Sequence, residues 1–160
     1  MSDLGGCMLE KTLLAAERDK KTTDEARDLI VDLPHGASFY ETFRHNDARG
    51  SVTELFDPRW EWHSDPLVFS YIFTIRPKMV KGGGLHKIHE DRYFVVRGEL
   101  ELVMYDVRPD SPTYNKISKV YLSASRPRLF NVPRFVWHAD RNIGQEELMV
   151  INFPTIQYDH

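Results

Sequence analysis

The chain has 160 residues, of which 41% are hydrophobic and 28% are charged, and its formal net charge at pH 7 is −3. This size favours one globular domain with a single core, and the slightly acidic balance does not favour nucleic acid as a partner. Its one cysteine, Cys7, excludes an internal disulfide, and the lack of an apolar membrane span or signal peptide predicts a cytoplasmic protein without a membrane partner.

The segment before Pro34 has apolar residues at helical spacing. Thr22-Thr23-Asp24-Glu25 interrupts this pattern and is typical of the start of a second helix. We therefore predict a short N-terminal helical arm over residues 1–34, followed by one domain over residues 35–160. We expect the arm to pack on the domain or on a partner chain rather than to act as a lid.

After Pro34 the hydrophobic period falls to two, and proline and glycine separate short runs. A tight turn is predicted at Gly98, between two of these runs. Seven or more short strands without helices between them indicate an all-β sandwich or barrel. The predicted strands cover residues 51–56, 67–75, 92–97, 99–106, 118–123, 128–132 and 147–153.

Two histidine motifs about fifty residues apart adjoin these strands. The first is Gly84-Leu85-His86-Lys87-Ile88-His89-Glu90-Asp91, and the second ends at His138. Histidines that enter or leave separate strands can converge inside one small barrel. His86 and His89 differ by three positions, which on a straight strand places them on opposite faces. We therefore expect His86 inside the barrel and His89 in solvent.

The second motif, Pro133-x-Phe135-x-x-His138-x-x-x-Asn142, resembles the second motif of the cupin superfamily. The first cupin motif is matched in part, by His86, Asp91 and Gly98, and Gly84 stands where that motif has its first histidine. A complete cupin set binds a divalent metal through three histidines and a carboxylate. One alternative is therefore a metal-dependent cupin enzyme that uses His86, His138 and Asp91, with His89 as a further possible ligand.

A longer resemblance is to the dTDP-4-dehydrorhamnose 3,5-epimerase family, of which the chain is identified as a divergent member. It implies a double-stranded β-helix (cupin jelly roll), a homodimer, no cofactor, and a nucleotide-diphosphate 4-keto-6-deoxy sugar as the small-molecule partner. The motifs that carry it, in chain order, are Asp47-x-Arg49-Gly50, Glu54-Leu55-Phe56, Gly84-Leu85-His86, Gly98-Glu99, Asp106-Val107-Arg108, Ser111-Pro112-Thr113, Leu122-Ser123-Ala124, Val132-Pro133 and His138.

The resemblance also implies catalytic roles. His86 takes the position of the base that removes a proton α to the ketone, and His138 that of a second histidine that binds or polarises the substrate. The family's tyrosine acid aligns with about Val150, so we expect Tyr158 to replace it, with Tyr93 and Tyr105 as alternatives. The family's carboxylate partner of the base comes from a C-terminal region that lies beyond the end of this sequence.

Departures from the family also include Gly83, where the family has an arginine, and Asp91, where it has a lysine. The residues expected to bind the substrate are Arg49, Arg92, Arg108, Asn142 and Trp137. The sequence thus predicts a sugar-nucleotide epimerase or isomerase that acts by proton abstraction. The alternatives are the metal-dependent cupin and a catalytically silent cupin that binds sugar nucleotides.

Overall fold

The protein is represented by a computed structural model. It describes residue 11 and residues 14–17, 19–25 and 31–157. The chain divides into two compact units, Met1–Ile30 and Val31–His160.

In the first unit, Lys11, Leu14 and Ala15 are helical. The second helix of the predicted arm falls on residues 26–30, which lie outside the described residues, so the arm's limits at residue 34 stay a prediction. Among the described residues there is no helix with the length and apolar character needed to cross a membrane.

Among the described residues of the second unit, the regular secondary structure is almost entirely β-strand. A single turn of 3-10 helix, Pro58–Trp60, is capped by the Asp57 side chain, which accepts a hydrogen bond from Arg59 N. The strands are β1 (Ser38–Glu41), β2 (Arg44–Asp47), β3 (Gly50–Thr53), β4 (Tyr71–Ile75), β5 (Val80–Gly84), β6 (Asp91–Arg97), β7 (Glu99–Asp106), β8 (Ile117–Ser123), β9 (Arg128–Val132), β10 (Val136–Asn142) and β11 (Leu148–Asn152).

The strands form two main sheets and a separate hairpin. One sheet has the order β1-β9-β6-β11-β4, the other has the order β5-β10-β7-β8, and β2 pairs only with β3. All pairings between these strands are antiparallel, and most neighbours in a sheet are distant in sequence. This arrangement is typical of a jelly roll, which confirms the predicted all-β fold class.

Two of the predicted strands, 99–106 and 128–132, match β7 and β9 residue for residue. The turn at Gly98 is also confirmed, because this glycine joins β6 to β7 with a φ of +86°. The predicted strand over 67–75 begins only at Tyr71. No strand was predicted at β5, which contains three glycines, and none was predicted at β1, β2 or β10.

The main core lies between the two sheets. Alternate residues of β7 and β8 point inward, and Leu100, Leu102 and Val120 are almost completely buried there. From the other sheet, Tyr93 and Val150 join the same cluster. The polar residues that point inward, among them His138 and Asp140 of β10, lie where the two sheets end. The packed core therefore supplies rigid walls around these residues.

Candidate active site

His86 and His89 lie in the loop between β5 and β6, not on a strand. Their rings stack, with centroids 4.0 Å apart, and His89 is only 7% exposed. The prediction that His89 faces solvent is therefore wrong, because strand alternation does not apply to a loop that bends both rings toward β6. Burial lowers the pKa of His89, and its electrostatic interaction with His86 lowers it further.

His138 reaches the same place from β10, where Val136, His138 and Asp140 point inward. Its Nδ1 lies 3.1 Å from the carbonyl oxygen of Val136, and a carbonyl can only accept, so Nδ1 must be the donor. Its Nε2 lies 3.4 Å from Oδ2 of Asp91, which is also an acceptor when ionised. A proton or another cation is therefore required between Nε2 and the carboxylate.

Asp91 joins the two histidines. It is 1% exposed, and its Oδ2 lies 2.9 Å from Nε2 of His86 as well as 3.4 Å from Nε2 of His138. Burial alone would raise the pKa of Asp91, but hydrogen bonds from His138 and His86 hold it well below the ordinary range. Burial likewise opposes the charge on His138, but the bond to Asp91 outweighs it and raises the pKa of His138.

These residues open on a cavity of about 240 Å³ between β4 and β5, the edge strands of the two sheets. His86 also borders a wider cleft of about 750 Å³ on the other side of its loop. The inner cavity is lined by Tyr71, Phe73, Lys81, Gly82, Gly84, His86, Asp91, Tyr93, His138 and Asp140.

Asp140 is the second buried carboxyl group of the cavity. Burial, together with repulsion by Asp91, raises the pKa of Asp140 to about 7, although the charges of His138 and Lys81 oppose the shift. The Tyr93 hydroxyl lies 3.4 Å from its Oδ2, and its Oδ1 has no hydrogen-bond partner among the described residues. Near neutral pH this carboxyl group can therefore exist in both protonation states.

Asn152 of β11 connects Asp91, which contacts the two histidines, to Tyr71 of β4. Its Nδ2 donates to Oδ1 of Asp91 at 2.7 Å and to the hydroxyl oxygen of Tyr71 at 2.9 Å. Its Oδ1 accepts from the backbone N–H of Arg92 at 3.0 Å, which fixes the orientation of the amide. One side chain thus holds both the carboxylate and the phenol in place.

Comparison with known proteins assigns a family to this arrangement. The sequence profile described as "Polysaccharide biosynthesis C-terminal domain" matches residues 45–160. The chain belongs to this family. It is 31% identical over 116 residues to the "Probable low-salt glycan biosynthesis epimerase Agl13" of Haloferax volcanii, across 71% of this chain and 74% of that protein. It is 29% identical over 126 residues to the "Spore coat polysaccharide biosynthesis protein SpsL" of Bacillus subtilis, across 78% and 82%.

Solved structures share the fold of this polysaccharide biosynthesis domain. A dTDP sugar isomerase from Desulfovibrio desulfuricans superposes with a TM-score of 0.76 at 23% identity, covering 83% of this chain and 84% of that one. A dTDP-4-dehydrorhamnose 3,5-epimerase from Sulfolobus tokodaii superposes with a TM-score of 0.71 at 23% identity, covering 81% and 75%. The predicted resemblance to the epimerase family, as a divergent member, is confirmed.

Within the family fold, the structure brings together the four predicted metal-ligating residues, His86, His89, Asp91 and His138. The predicted acid, Tyr158, lies outside the described residues. Tyr93 lines the cavity, whereas Tyr105 lies on the outer face of its sheet, where its hydroxyl donates to Asn115. Within the described residues, the carboxylate that contacts His86 is that of Asp91, whose Oδ2 lies 2.9 Å from Nε2.

The five residues predicted to bind substrate do not line the cavity, and that role stays a prediction. Arg92 is buried and donates to backbone carbonyls, including those of Asp65 and Phe153. Asn142 is also buried and donates to the carbonyls of Ile75 and Glu146.

The other three predicted substrate-binding residues are more exposed. Arg49 pairs with Asp47 on the β2–β3 hairpin, and its side chain is 90% exposed. The guanidinium of Arg108 donates two hydrogen bonds to the carboxylate of the buried Asp106, and the backbone N–H of Arg108 donates a third. Trp137 points outward from β10.

Sequence reasoning missed Asp140, Tyr71 and Asn152. Asp140 could have been found, since it lies two residues after His138 and a strand places such residues on one face. Tyr71 and Asn152 belong to no motif, and only the pairing of β4 with β11 in this register brings them together.

Proposed function

We propose that this protein is an epimerase or isomerase of nucleotide-diphosphate 4-keto-6-deoxy sugars that acts by removing a proton α to the ketone. The observation that carries the proposal is the His86–Asp91 pair in the lining of a cavity, with His138 on the same carboxylate. Relatives named as a glycan epimerase and as dTDP-sugar epimerases support the substrate class.

The geometry fits a base. Asp91 can only accept, so its 2.9 Å contact holds a proton on Nε2 of His86 and leaves Nδ1 with the lone pair. A histidine held in one tautomer by a carboxylate is a common general base. The role of Asp91 is then to orient His86 and to stabilise the imidazolium that forms when the base takes the proton.

The cavity also contains positive charge where an enolate needs it. The raised pKa of His138 favours its protonated form, and Lys81 lies beside Asp140 on the paired strand. Proton abstraction α to a ketone moves negative charge onto the carbonyl oxygen, and fixed cations near that oxygen lower the barrier. We assign His138 this polarising role.

The two connected spaces match the two parts of a sugar nucleotide. The inner cavity, with its acids and bases, suits the sugar. The wider cleft is bordered by Val68, Ile88 and Ile156, whose apolar side chains suit a nucleobase, and by Lys87, whose charge suits a phosphate. Because His86 borders both spaces, the sugar carbons next to the ketone would lie within its reach.

A divalent metal is the second candidate for the same residues. The ligand atoms of His86, Asp91 and His138 all lie within 4.8 Å of one another, and two histidines with a carboxylate suit a transition metal. A Cβ at Gly84 would lie 3.5 Å from Nε2 of His138, so the position of the first cupin histidine faces this cluster without supplying a ligand. A bound ion would act as a Lewis acid toward the ketone oxygen.

Metal content distinguishes these two forms of the proposal. Elemental analysis of the purified protein should find about one ion per chain if the cluster is a metal site, and Asp91→Ala should lose it. If the protein contains no stoichiometric metal and does not bind added Zn²⁺ or Mn²⁺, the metal site is excluded and the mechanism without a cofactor is supported. A cytoplasmic location and a homodimer remain parts of the proposal, supported by the resemblance to the epimerases.

Solvent exchange tests the function itself. In D2O the protein should incorporate deuterium next to the ketone of dTDP-4-keto-6-deoxyglucose, and His86→Asn should abolish this exchange while the thermal midpoint stays near wild type. If exchange persists in His86→Asn, His86 is not the base. Tight dTDP binding without exchange would instead favour the catalytically silent sugar-nucleotide binder.

A further inference from the structure

Asp140 is a buried acid of the cavity to which the proposed mechanism gives no role. It is 5% exposed, and its Oδ2 lies 3.4 Å from the hydroxyl of Tyr93, whereas its Oδ1 has no hydrogen-bond partner within the described part of the chain. A buried acceptor without a donor costs free energy, so native proteins keep such groups mainly where water or a ligand supplies the donor. Oδ1 of Asp140 is therefore an open position for a donor.

Lys81 does not fill this position. It is the residue paired with Asp140 across β5 and β10, but its side chain extends over the ring of Phe73, with Nζ 6.0 Å from the ring centroid. Asp140 also lies outside the candidate metal cluster. The cavity volume of about 240 Å³ is several times the roughly 30 Å³ that one water occupies in the liquid. A ligand that enters the cavity can therefore bring its own donor to Oδ1.

The strand register places Asp140 on the opposite side of His138 from His86. His138 pairs with Gly84, the last residue of β5, and Asp140 pairs with Lys81, near the start of β5. His86 follows β5 in the chain, beyond Gly84. The order along the cavity is thus His86, His138 and Asp140. A ketone at His138 would have one neighbouring carbon toward His86 and the other toward Asp140.

We propose that Asp140 determines specificity by accepting a hydrogen bond, through Oδ1, from the C3 hydroxyl of the sugar, an inference that rests on the proposed epimerase function. The ketone of a 4-keto-6-deoxy sugar lies between C3, which carries a hydroxyl, and C5, which carries a methyl group. Only C3 can supply a donor to Asp140, so C5 is the carbon presented to His86. A carboxyl group keeps an acceptor oxygen in either protonation state, so this contact does not depend on the charge of Asp140.

Two substrates measured with the wild-type protein in D2O test this contact. Deuterium should enter dTDP-4-keto-6-deoxyglucose at C5. The kcat/KM for this exchange should fall about 10- to 100-fold for dTDP-4-keto-3,6-dideoxyglucose, which lacks the C3 hydroxyl, as expected for the loss of one hydrogen bond to a charged group. A site that is built to bind a hydroxyl discriminates in this way because the analogue leaves its buried acceptor without a partner.

Asp140→Ala separates this contact from the effect of the C3 hydroxyl on the acidity of the C5–H bond. That effect belongs to the substrate and is the same for every protein. In Asp140→Ala the ratio between the two substrates should therefore approach the ratio of their buffer-catalysed exchange rates. Asp32→Ala, at an exposed position, is the matched control and should discriminate between the substrates like wild type.

Wild-type exchange at C3 would overturn the assignment, since C3 would then be the carbon at His86. Wild-type exchange that favours neither substrate, relative to the buffer-catalysed rates, would also overturn it and would mean that only water reaches Oδ1. Neither result needs a variant, so both remain decisive if Asp140→Ala does not fold. A folded Asp140→Ala protein that discriminates like wild type would contradict the proposal as well. Failure of the proposed function itself looks different, because wild type would then show exchange at neither carbon.

Discussion

Asp91 accepts hydrogen bonds from His86, His138 and Asn152 at once, so a single carboxylate organises both the base and the polarising histidine. Its negative charge keeps the pKa of His138 raised in spite of burial. An amide of the same size would supply neither the charge nor two acceptor oxygens, and it would leave the buried His138 and the partly buried His86 without their counter-ion.

Asp91→Asn should therefore lower kcat by about 10³- to 10⁴-fold, the size of effect seen when a carboxylate that orients a catalytic histidine is replaced. Circular dichroism should show the folded β protein. Asp32→Asn, at an exposed position whose carboxylate lies 3.5 Å from Nζ of Lys116, is the matched control and should keep wild-type activity. Activity within about tenfold of wild type in Asp91→Asn would mean that the carboxylate does not orient the base.

Asp140 predicts a pH dependence of stability. Its folded-state pKa of about 7 lies above the ordinary value for an aspartate, so between about pH 4 and 7 the folded protein holds a proton that the unfolded chain has released. The free energy of unfolding should therefore fall as pH rises through this window. Asp140→Asn lacks this contribution. The free energy of unfolding of the variant minus that of wild type should therefore increase by up to about 1.4 kcal/mol for each pH unit in this window. Urea denaturation at several pH values measures the difference, and parallel curves would contradict the prediction.

Some of these side chains could be predicted from the sequence and others could not. His86 and His138 belong to motifs, so their type and spacing already indicated a shared site. The position of His89 was predicted wrongly because the period of a strand was applied to a loop. Tyr71 and Asn152 carry no local pattern, since their importance arises from cross-strand pairing that the sequence does not reveal.

Among the strands, β5 contributes most to the shape of the site. It approaches β10 so closely that a Cβ at Gly82 would lie 2.8 Å from the Cα of Ala139, next to a register shift at His138. Position 82 therefore requires glycine for two reasons: there is no space for a Cβ, and the φ of +122° is one that other residues rarely adopt. Glycines are poor strand formers, which explains why no strand was predicted there.

Gly82→Ala and Gly83→Ala separate these two requirements. Both positions have positive φ, but a Cβ at Gly83 meets nothing within 4 Å. Gly83→Ala should cost about 1 kcal/mol of unfolding free energy from backbone strain, whereas Gly82→Ala should cost about 1–3 kcal/mol more from overpacking. Chemical denaturation measures both variants. Equal losses would show that β5 can move away from β10 and that the close approach is not required.

At the scale of the whole chain, the jelly roll and the family could be predicted from the sequence because the motifs occur in the right order along it. The homodimer was inferred from resemblance alone. Sedimentation equilibrium should give twice the 18.7 kDa mass of one chain at micromolar concentration. A concentration-independent mass of one chain would contradict the dimer and would show that each jelly roll works alone.

The enolisation chemistry itself is tested by NMR of dTDP-4-keto-6-deoxyglucose incubated in D2O with the wild-type protein. We predict that deuterium replaces hydrogen at C3, at C5 or at both, at a rate proportional to protein concentration. The exchanging carbon would identify the position that the cavity presents to His86. No exchange at either carbon, from a folded protein that binds dTDP, would contradict the assignment of this site to proton abstraction from a 4-keto sugar.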